Sequence, residues 1–413
     1  MIASIMSESA RSGDASDAVA CAWDCRSVNT TISQGQLRGR RADGIDAYLG
    51  IPYATANRFE PPQPAPPWTG MRDATQVGPA APQPRSRLAD VIGDRSLEQS
   101  EDCLNLNVWS PSEPAGTPRP VLVFLHGGGF STGSGGLAWY DGARLARRGD
   151  FVVVTINYRL GALGYLRLEH DNLGLLDQLQ ALRWVQENIA AFGGDPAAVT
   201  VAGQSGGALS IVAMRKPDGL FQRAILESPP LGLRPQTQDV AAAMAAEFVE
   251  ILGSDPYTAA VDDILAAQLE LAVRHPGPIP PFHLVGDELT ALPDVDVLIG
   301  WCRDEAKAYG AGPEVTESLF STPIKSYAEQ LESAWVYRFD WSAPGNPLGA
   351  CHNLELPFVF GNLDACRDAA MLTGAADDGL TAMVDVVQTA WTAFVRDGNP
   401  GWPASDLHVL DLP

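Results

Sequence analysis

The sequence predicts an α/β fold, a large and mostly parallel twisted sheet flanked by helices, on three observations. Short apolar, β-branched runs recur along the chain, helical stretches separate them, and a Pro-rich segment with strand-like pieces precedes them. The runs are Val121 to Leu125, Phe151 to Ile156, Val199 to Ala202, Ala224 to Leu226 and Val297 to Ile299. Apolar runs without alternation suit strands covered on both faces, and strand followed by helix is the rhythm of parallel strands joined by crossovers. Between the second and third runs, Leu173, Leu176, Leu179, Leu182, Val185 and Ile189 recur every three or four residues. That is the stripe of an amphipathic helix lying on the sheet, and Gly193-Gly194-Asp195-Pro196 stops it. Before residue 120, Ala47 to Ile51 and Leu104 to Trp109 read as an N-terminal antiparallel edge. An Ala-rich helical pattern from Asp239 to Val273 sits between two strands, so helical insertions are expected around residues 236–275 and 306–334. With no internal repeat and no long linker, residues 25–413 read as a single domain behind a mobile leader, residues 1–24.

A chain of 413 residues can bury a large core. No apolar run approaches the roughly 18 residues that a membrane helix needs. Fifty acidic against 28 basic residues give a net charge of −22, a field that repels nucleic acid and anionic membranes. A solvated acidic surface explains that charge better than the steering of cationic substrates. Met1 to Asp24 lack the basic start and apolar centre of a secretory signal. The six cysteines, Cys21, Cys25, Cys103, Cys302, Cys351 and Cys366, show no C-x-x-C pair and fit no zinc spacing. A reduced, cytoplasmic protein without metal or cofactor is the expectation, either a monomer or a homo-oligomer.

Gly203-Gln204-Ser205-Gly206-Gly207 follows the strand Val199-Thr200-Val201-Ala202 and precedes the helix-compatible Ala208 to Met214. A G-x-S-x-G carries chemistry only in that setting, because the serine must sit on a strained strand-to-helix turn that small neighbours allow to close. The alternative is an inert serine in a Gly-rich turn, and the preceding strand argues against it. His126-Gly127-Gly128-Gly129-Phe130 follows the earlier strand, and glycines there open backbone N–H groups to a developing oxyanion. The N–H groups of Gly128, Gly129 and Gly206 are the expected oxyanion hole. The same run lacks the Lys of a phosphate-binding loop and the glycine spacing of a dinucleotide site.

A nucleophilic serine needs a base, and in this fold the order along the chain is nucleophile, acid, histidine. His275, His283, His352 and His408 follow Ser205. His408 lies near the end of the chain, where fraying is expected, and His275 and His283 come before the strand that should deliver the acid. His352 remains. For the acid, the loop after Val297-Leu298-Ile299 offers Asp304 and Glu305, which the residues alone leave near even.

These motifs and many ordered stretches resemble the type-B carboxylesterase family, which includes the cholinesterases and p-nitrobenzyl esterases. The stretches include Gly50-Ile51-Pro52-Tyr53-Ala54, Ser100 to Trp109, His126 to Phe130, Asn157-Tyr158-Arg159, Asn172 to Gln178, and His352 through Glu355 to Phe360, and they span most of the chain. The resemblance implies the α/β-hydrolase fold, a cofactor-free serine carboxylic-ester hydrolase acting through an acyl-enzyme, and Ser205, Glu305 and His352 as its triad. It thereby favours Glu305 over Asp304. It also implies a buried, structural ion pair between Arg58 and Glu101. An amide or carbamate hydrolase with the same triad is the nearest alternative, and a non-catalytic carboxylesterase-like binding protein a more remote one.

Three features depart from the family. Gln204-Ser205-Gly206 stands where Glu-Ser-Ala is usual, so the nucleophile loses its acidic neighbour. Pro79-Ala80-Ala81-Pro82-Gln83 holds no cysteine to pair with Cys103. Only 47 residues separate Glu305 from His352, which implies a reduced helical cap and either a wider entrance or a pocket completed by a partner subunit. Phe130 and Gln204 are the candidate pocket residues for a small-molecule ester, whereas Trp301 and Phe358 are read as core and Cys351 as a buried thiol.

Overall fold

The computed structural model describes residues 26–412 apart from 96, 215–218, 278–279 and 405, so the expected leader lies outside the described residues. Along the chain the strands of its main sheet are β1 (Arg26–Ile32), β2 (Gly35–Ala42), β3 (Ile45–Pro52), β4 (Met71–Asp73), β5 (Asn105–Pro111) and β6 (Arg119–Leu125), then β7 (Val152–Ile156), β8 (Gly194–Gln204), β9 (Arg223–Glu227), β10 (Asp296–Cys302), β11 (Ala334–Phe339) and β12 (Leu407–Leu410). Their order across the sheet is β1-β2-β3-β5-β7-β6-β8-β9-β10-β11-β12, with β4 beside β2. Pairing is antiparallel from β1 through β5 to β7 and parallel from β7 onward, as the apolar runs and the Pro-rich start predict.

Five strands of the main sheet, β1, β2, β4, β11 and β12, fall outside the runs that the sequence marks, and the last two show why. In β11 the pattern is mixed, with Trp335 and Arg338 half-buried, because this strand lies toward the sheet margin. The edge strand β12 is mostly exposed yet pairs with β11 from Val336↔Leu407 to Phe339↔Leu410, so His408 belongs to the sheet and its expected fraying is corrected.

Alternation along the central strands divides the core between two layers. Val121, Val123 and Leu125 face one apolar cluster, and Leu122 and Phe124 face the other. The first layer holds α1 (Leu173–Asn188), α2 (Gly206–Ala213), α3 (Gln238–Leu252) and α4 (Val261–Arg274), and the second is dominated by α5 (Asp377–Asp397). In α1 the buried face is displaced from the expected leucine stripe: Leu176 and Leu179 are half-buried, while Asp177 and Gln178 are buried. Asp177 earns that place by taking Arg159 in a bidentate pair, 2.8 Å to Nε and 2.7 Å to Nη2. The expected buried pair, Arg58 with Glu101, is only part-buried, the Glu101 side chain being 37% exposed. Arg159–Asp177, at 7% and 0%, is the more deeply buried of the two pairs.

Register at the carboxyl ends of β8, β9 and β10 positions the site, as is usual for open α/β sheets. Gln204 lies opposite Glu227 and Glu227 opposite Gly300, so the three strand ends are level. The Ser205 N–H donates to the Glu227 carbonyl at 2.8 Å and the Ser228 N–H to the Gly300 carbonyl at 2.9 Å, which carries the ladder into the loops.

Candidate active site

Ser205 occupies the turn between β8 and α2 with φ +53° and ψ −118°, a conformation that a side chain adopts only under constraint. The constraint is visible in the neighbouring glycines. A Cβ on Gly203 would lie 2.7 Å from the Gly207 carbonyl carbon, and one on Gly207 would lie 2.1 Å from the Leu125 oxygen. At Gly206 an added Cβ would find ordinary contacts, 3.4 Å to the Phe130 nitrogen and 3.5 Å to that of Gly129. The departure from alanine at 206 is therefore sterically neutral. Gly128 and Gly129, at φ +112° and +60°, turn the chain beneath β6. No acceptor among the described residues takes a hydrogen bond from the N–H of Gly128, Gly129 or Gly206, and all three lie beside Ser205.

His352 is buried next to Glu305. Its Nδ1 contacts Glu305 Oε2, while the other carboxylate oxygen accepts the Cys302 N–H at 2.7 Å. The rings of Phe320 and Tyr309 lie 5.4 and 5.6 Å from the imidazole. Burial by itself pushes the His352 pKa down, but the Glu305 charge and hydrogen bond, with help from Glu355, outweigh it and hold the imidazole above its ordinary value. Asp304, the other acid in the loop, faces away. Its carboxylate accepts the Ala350 N–H at 3.0 Å and pairs with Arg303 at 2.8 Å and Lys307 at 3.2 Å, fastening the strand end to the loop that carries His352.

Gln204 does more than replace an acid. Its side-chain amide lies 3.1 Å from His352 Nε2, and in this state no hydrogen bond joins that nitrogen to Ser205. An N–H donated to Nε2 leaves the ring proton on Nδ1, facing Glu305.

Behind the histidine is a buried acidic cluster that the sequence reading did not single out. Glu355 accepts the Ser228 hydroxyl and the Cys302 thiol, each at 3.0 Å, and Glu227 accepts Trp391 Nε1 at 2.7 Å. Both carboxyls are fully buried, and their pKa values are raised, first by desolvation and then by a neighbouring acid, Glu355 for Glu227 and Glu305 for Glu355. Glu355 lies three residues after His352, one turn on, which was the signal available in the sequence.

The remaining candidates are distributed through the fold. Phe130 borders the site but its ring is buried against Tyr165 at 5.1 Å. Trp301 and Phe358 belong to the core, as expected. Cys351 is buried, and desolvation pushes its thiol up to about 12, away from nucleophilic use. His275 pairs with Glu247 at 2.7 Å and His126 stacks on Tyr158 at 4.4 Å. Among the described residues no cluster of potential ligands could hold a metal ion, and no helix is long and apolar enough to cross a membrane.

Two cavities meet at Ser205. One of about 120 Å³ is also bordered by His352, Gly128, Arg85 and Leu269. The other, about 420 Å³, is lined by Gly206, Pro230, Leu233, Val315, Leu319 and Phe320.

Residues 25–266 match the sequence model of the carboxylesterase family. A probable N-octanoylanthranilate hydrolase of Rhodococcus erythropolis is 40% identical, over 90% of this chain and 94% of its own. A para-nitrobenzyl esterase of Bacillus subtilis is 36% identical, over 91% and 92%. The solved structure of a thermophilic p-nitrobenzyl esterase superposes with a TM-score of 0.84 at 34% identity, covering 93% of this chain and 96% of that one.

Proposed function

The chain belongs to the carboxylesterase family, has the α/β-hydrolase fold and is an ester-hydrolysing enzyme, and on that premise we propose that it works through an acyl-enzyme on Ser205. His352 Nε2 takes the proton of the Ser205 hydroxyl as the oxygen attacks the ester carbonyl, and Glu305 holds the ring with Nδ1–H toward itself. The oxyanion that forms is taken by the N–H groups of Gly128, Gly129 and Gly206, each worth about 3 kcal/mol to the transition state. Collapse breaks the bond to the alcohol oxygen, which receives the proton from His352, and a water activated by the same nitrogen then releases the acid. Ser205 must displace the Gln204 amide from Nε2 before the first step.

One observation carries this reading: His352, in contact with Glu305, borders a cavity shared with Ser205, beside backbone N–H groups that have no acceptor among the described residues. Ser205→Ala should abolish turnover of a p-nitrophenyl ester and labelling by a fluorophosphonate probe while the circular dichroism spectrum stays unchanged. Wild-type kcat in that variant would remove Ser205 from the mechanism.

The matched relatives are named for N-octanoylanthranilate, whose acyl group is held by an amide bond, and for para-nitrobenzyl compounds; family membership supports ester cleavage, and the preference between the two bonds is a matter for assay. An ester assayed beside its anilide measures that preference. A reducing, cytoplasmic setting is supported by the buried free thiols of Cys103, Cys302, Cys351 and Cys366.

A further inference from the structure

The chain carries 50 acidic and 28 basic residues, yet no aspartate or glutamate is among the described residues that line either cavity at Ser205. Besides His352, the charged side chains there are Arg85 and Arg87 in the smaller cavity and Arg87 again in the larger. The residue before the nucleophile, Gln204, is buried and neutral, and Glu305 is committed to His352 and the Cys302 N–H. The charged side chains that line the cavities are thus opposite in sign to the molecule's net charge.

The two cavities also differ in what they can hold. His352, which returns a proton to the leaving alcohol, borders the 120 Å³ cavity and not the 420 Å³ one. The alcohol part of the ester therefore occupies the smaller cavity, and the acyl group fills the larger, among Pro230, Leu233, Val315, Leu319 and Phe320. An alcohol in the smaller cavity meets the two arginines.

We propose that Arg87, with Arg85 two residues away, is a carboxylate-recognition subsite, and that the preferred substrates are esters of an apolar acid with an alcohol or phenol bearing a carboxylate. The proposal rests on the serine-hydrolase reading above. A planar guanidinium meets a carboxylate with two parallel N–H donors, and a cationic cavity offsets the repulsion that an anion meets from a protein of charge −22. Arg87 is steadied by the Gly277 carbonyl at 3.3 Å. Arg85 pairs with Asp90 at 2.8 Å and Asp94 at 3.3 Å, both well exposed. Exposed pairs of that kind are weak, so an incoming carboxylate can exchange for them.

The test compares 4-carboxyphenyl hexanoate with 4-carbamoylphenyl hexanoate, and the readout is the ratio of their kcat/KM values, in which differences in overall activity between variants cancel. The wild-type ratio should favour the carboxylate by at least about tenfold. It should fall several-fold in Arg87→Gln and in Gln204→Glu, and approach unity in Arg85→Gln/Arg87→Gln. In the wild type it should also fall as ionic strength rises from about 0.05 to about 0.5 M, which keeps the test open if a variant does not fold. A wild-type ratio at or below one, or a ratio unchanged by Arg87→Gln and by salt, overturns the subsite. If the neutral ester is still cleaved and that cleavage is lost in Ser205→Ala, the serine reading stands and only the subsite falls. Cleavage that survives Ser205→Ala defeats the serine reading instead.

Discussion

Replacing Glu305 with glutamine preserves volume and one oxygen but removes the charge that faces His352. If the glutamine oxygen keeps the Cys302 N–H, now held at 2.7 Å, its NH2 group lies against His352 Nδ1. That nitrogen must then accept, and the ring proton moves to Nε2. There it confronts the Gln204 amide, which donates to the same atom at 3.1 Å, and the lone pair that should take the Ser205 proton is gone. The imidazolium formed in the transition state also loses its counter-charge. At a separation of about 4 Å and an effective permittivity near 20, that attraction is about 4 kcal/mol, or roughly three orders of magnitude in rate. Stopped-flow or pH-stat assay of a p-nitrophenyl ester should show kcat reduced about a thousandfold. The residual activity should also shift with pH in a defined direction. In the proposed mechanism neutral His352 is the active form, and Glu305 holds its pKa above the ordinary value against the opposing push of burial. Removing the carboxylate lowers that pKa, so the acid limb of kcat/KM should move to lower pH. Asp304→Asn, which leaves His352 untouched, should do neither. A Glu305→Gln enzyme within tenfold of wild-type kcat, with its acid limb unmoved, would refute the assignment.

The other predictions concern stability. Gly206→Ala should hold or slightly raise Tm, because its Cβ meets only ordinary contacts, whereas Gly207→Ala places a methyl 2.1 Å from the Leu125 oxygen and should lower Tm by several degrees. Asp177→Asn strips the buried Arg159 of its counter-ion and should cost about 3 to 5 kcal/mol by chemical denaturation; a loss under 1 kcal/mol would show that the pair is not what holds α1 to the sheet. Glu227 has a folded-state pKa raised above its unfolded one, so its contribution to stability is present at low pH and is lost as pH rises through the raised value. Glu227→Gln imitates the protonated acid and keeps an acceptor for Trp391, so it should match wild type in Tm near pH 5 and exceed it near pH 9. Equal Tm values at both would contradict that pH dependence.

Much of this was legible in the chain because it depends on neighbours in sequence. Val121 to Leu125 and Val199 to Ala202 read as strands since a run covered on both faces needs no alternation, and the turn at Ser205 could be recognised from glycines at 203, 206 and 207 that leave no room for a side chain or soften the bend. The margins were harder. The burial pattern of β11 is mixed, and in β12 Leu407 and Val409 are exposed, His408 half-buried and only Leu410 buried, so their pairing depends on each other and on β10 rather than on a local pattern. The α1 stripe misled for a related reason: Asp177 is buried because Arg159, 18 residues earlier, reaches it.

What the sequence by itself determined is the order and type of the central strands, the strained turn at Ser205 and the Gly-rich run at 127–129, all set by local sterics and by the pattern of apolar residues. Tertiary structure decided what the residues by themselves left near even and only the family resemblance favoured, which of two adjacent acids meets His352, since Asp304 and Glu305 differ by one residue in sequence but point to opposite sides of one loop. It also decided that the Gln204 amide lies on His352 Nε2, 148 residues away, and that Arg87 and Ser205 share both cavities. These are distances between parts of the chain brought together by the level ends of β8, β9 and β10, and a spacing along the sequence holds no information about them until the sheet is assembled.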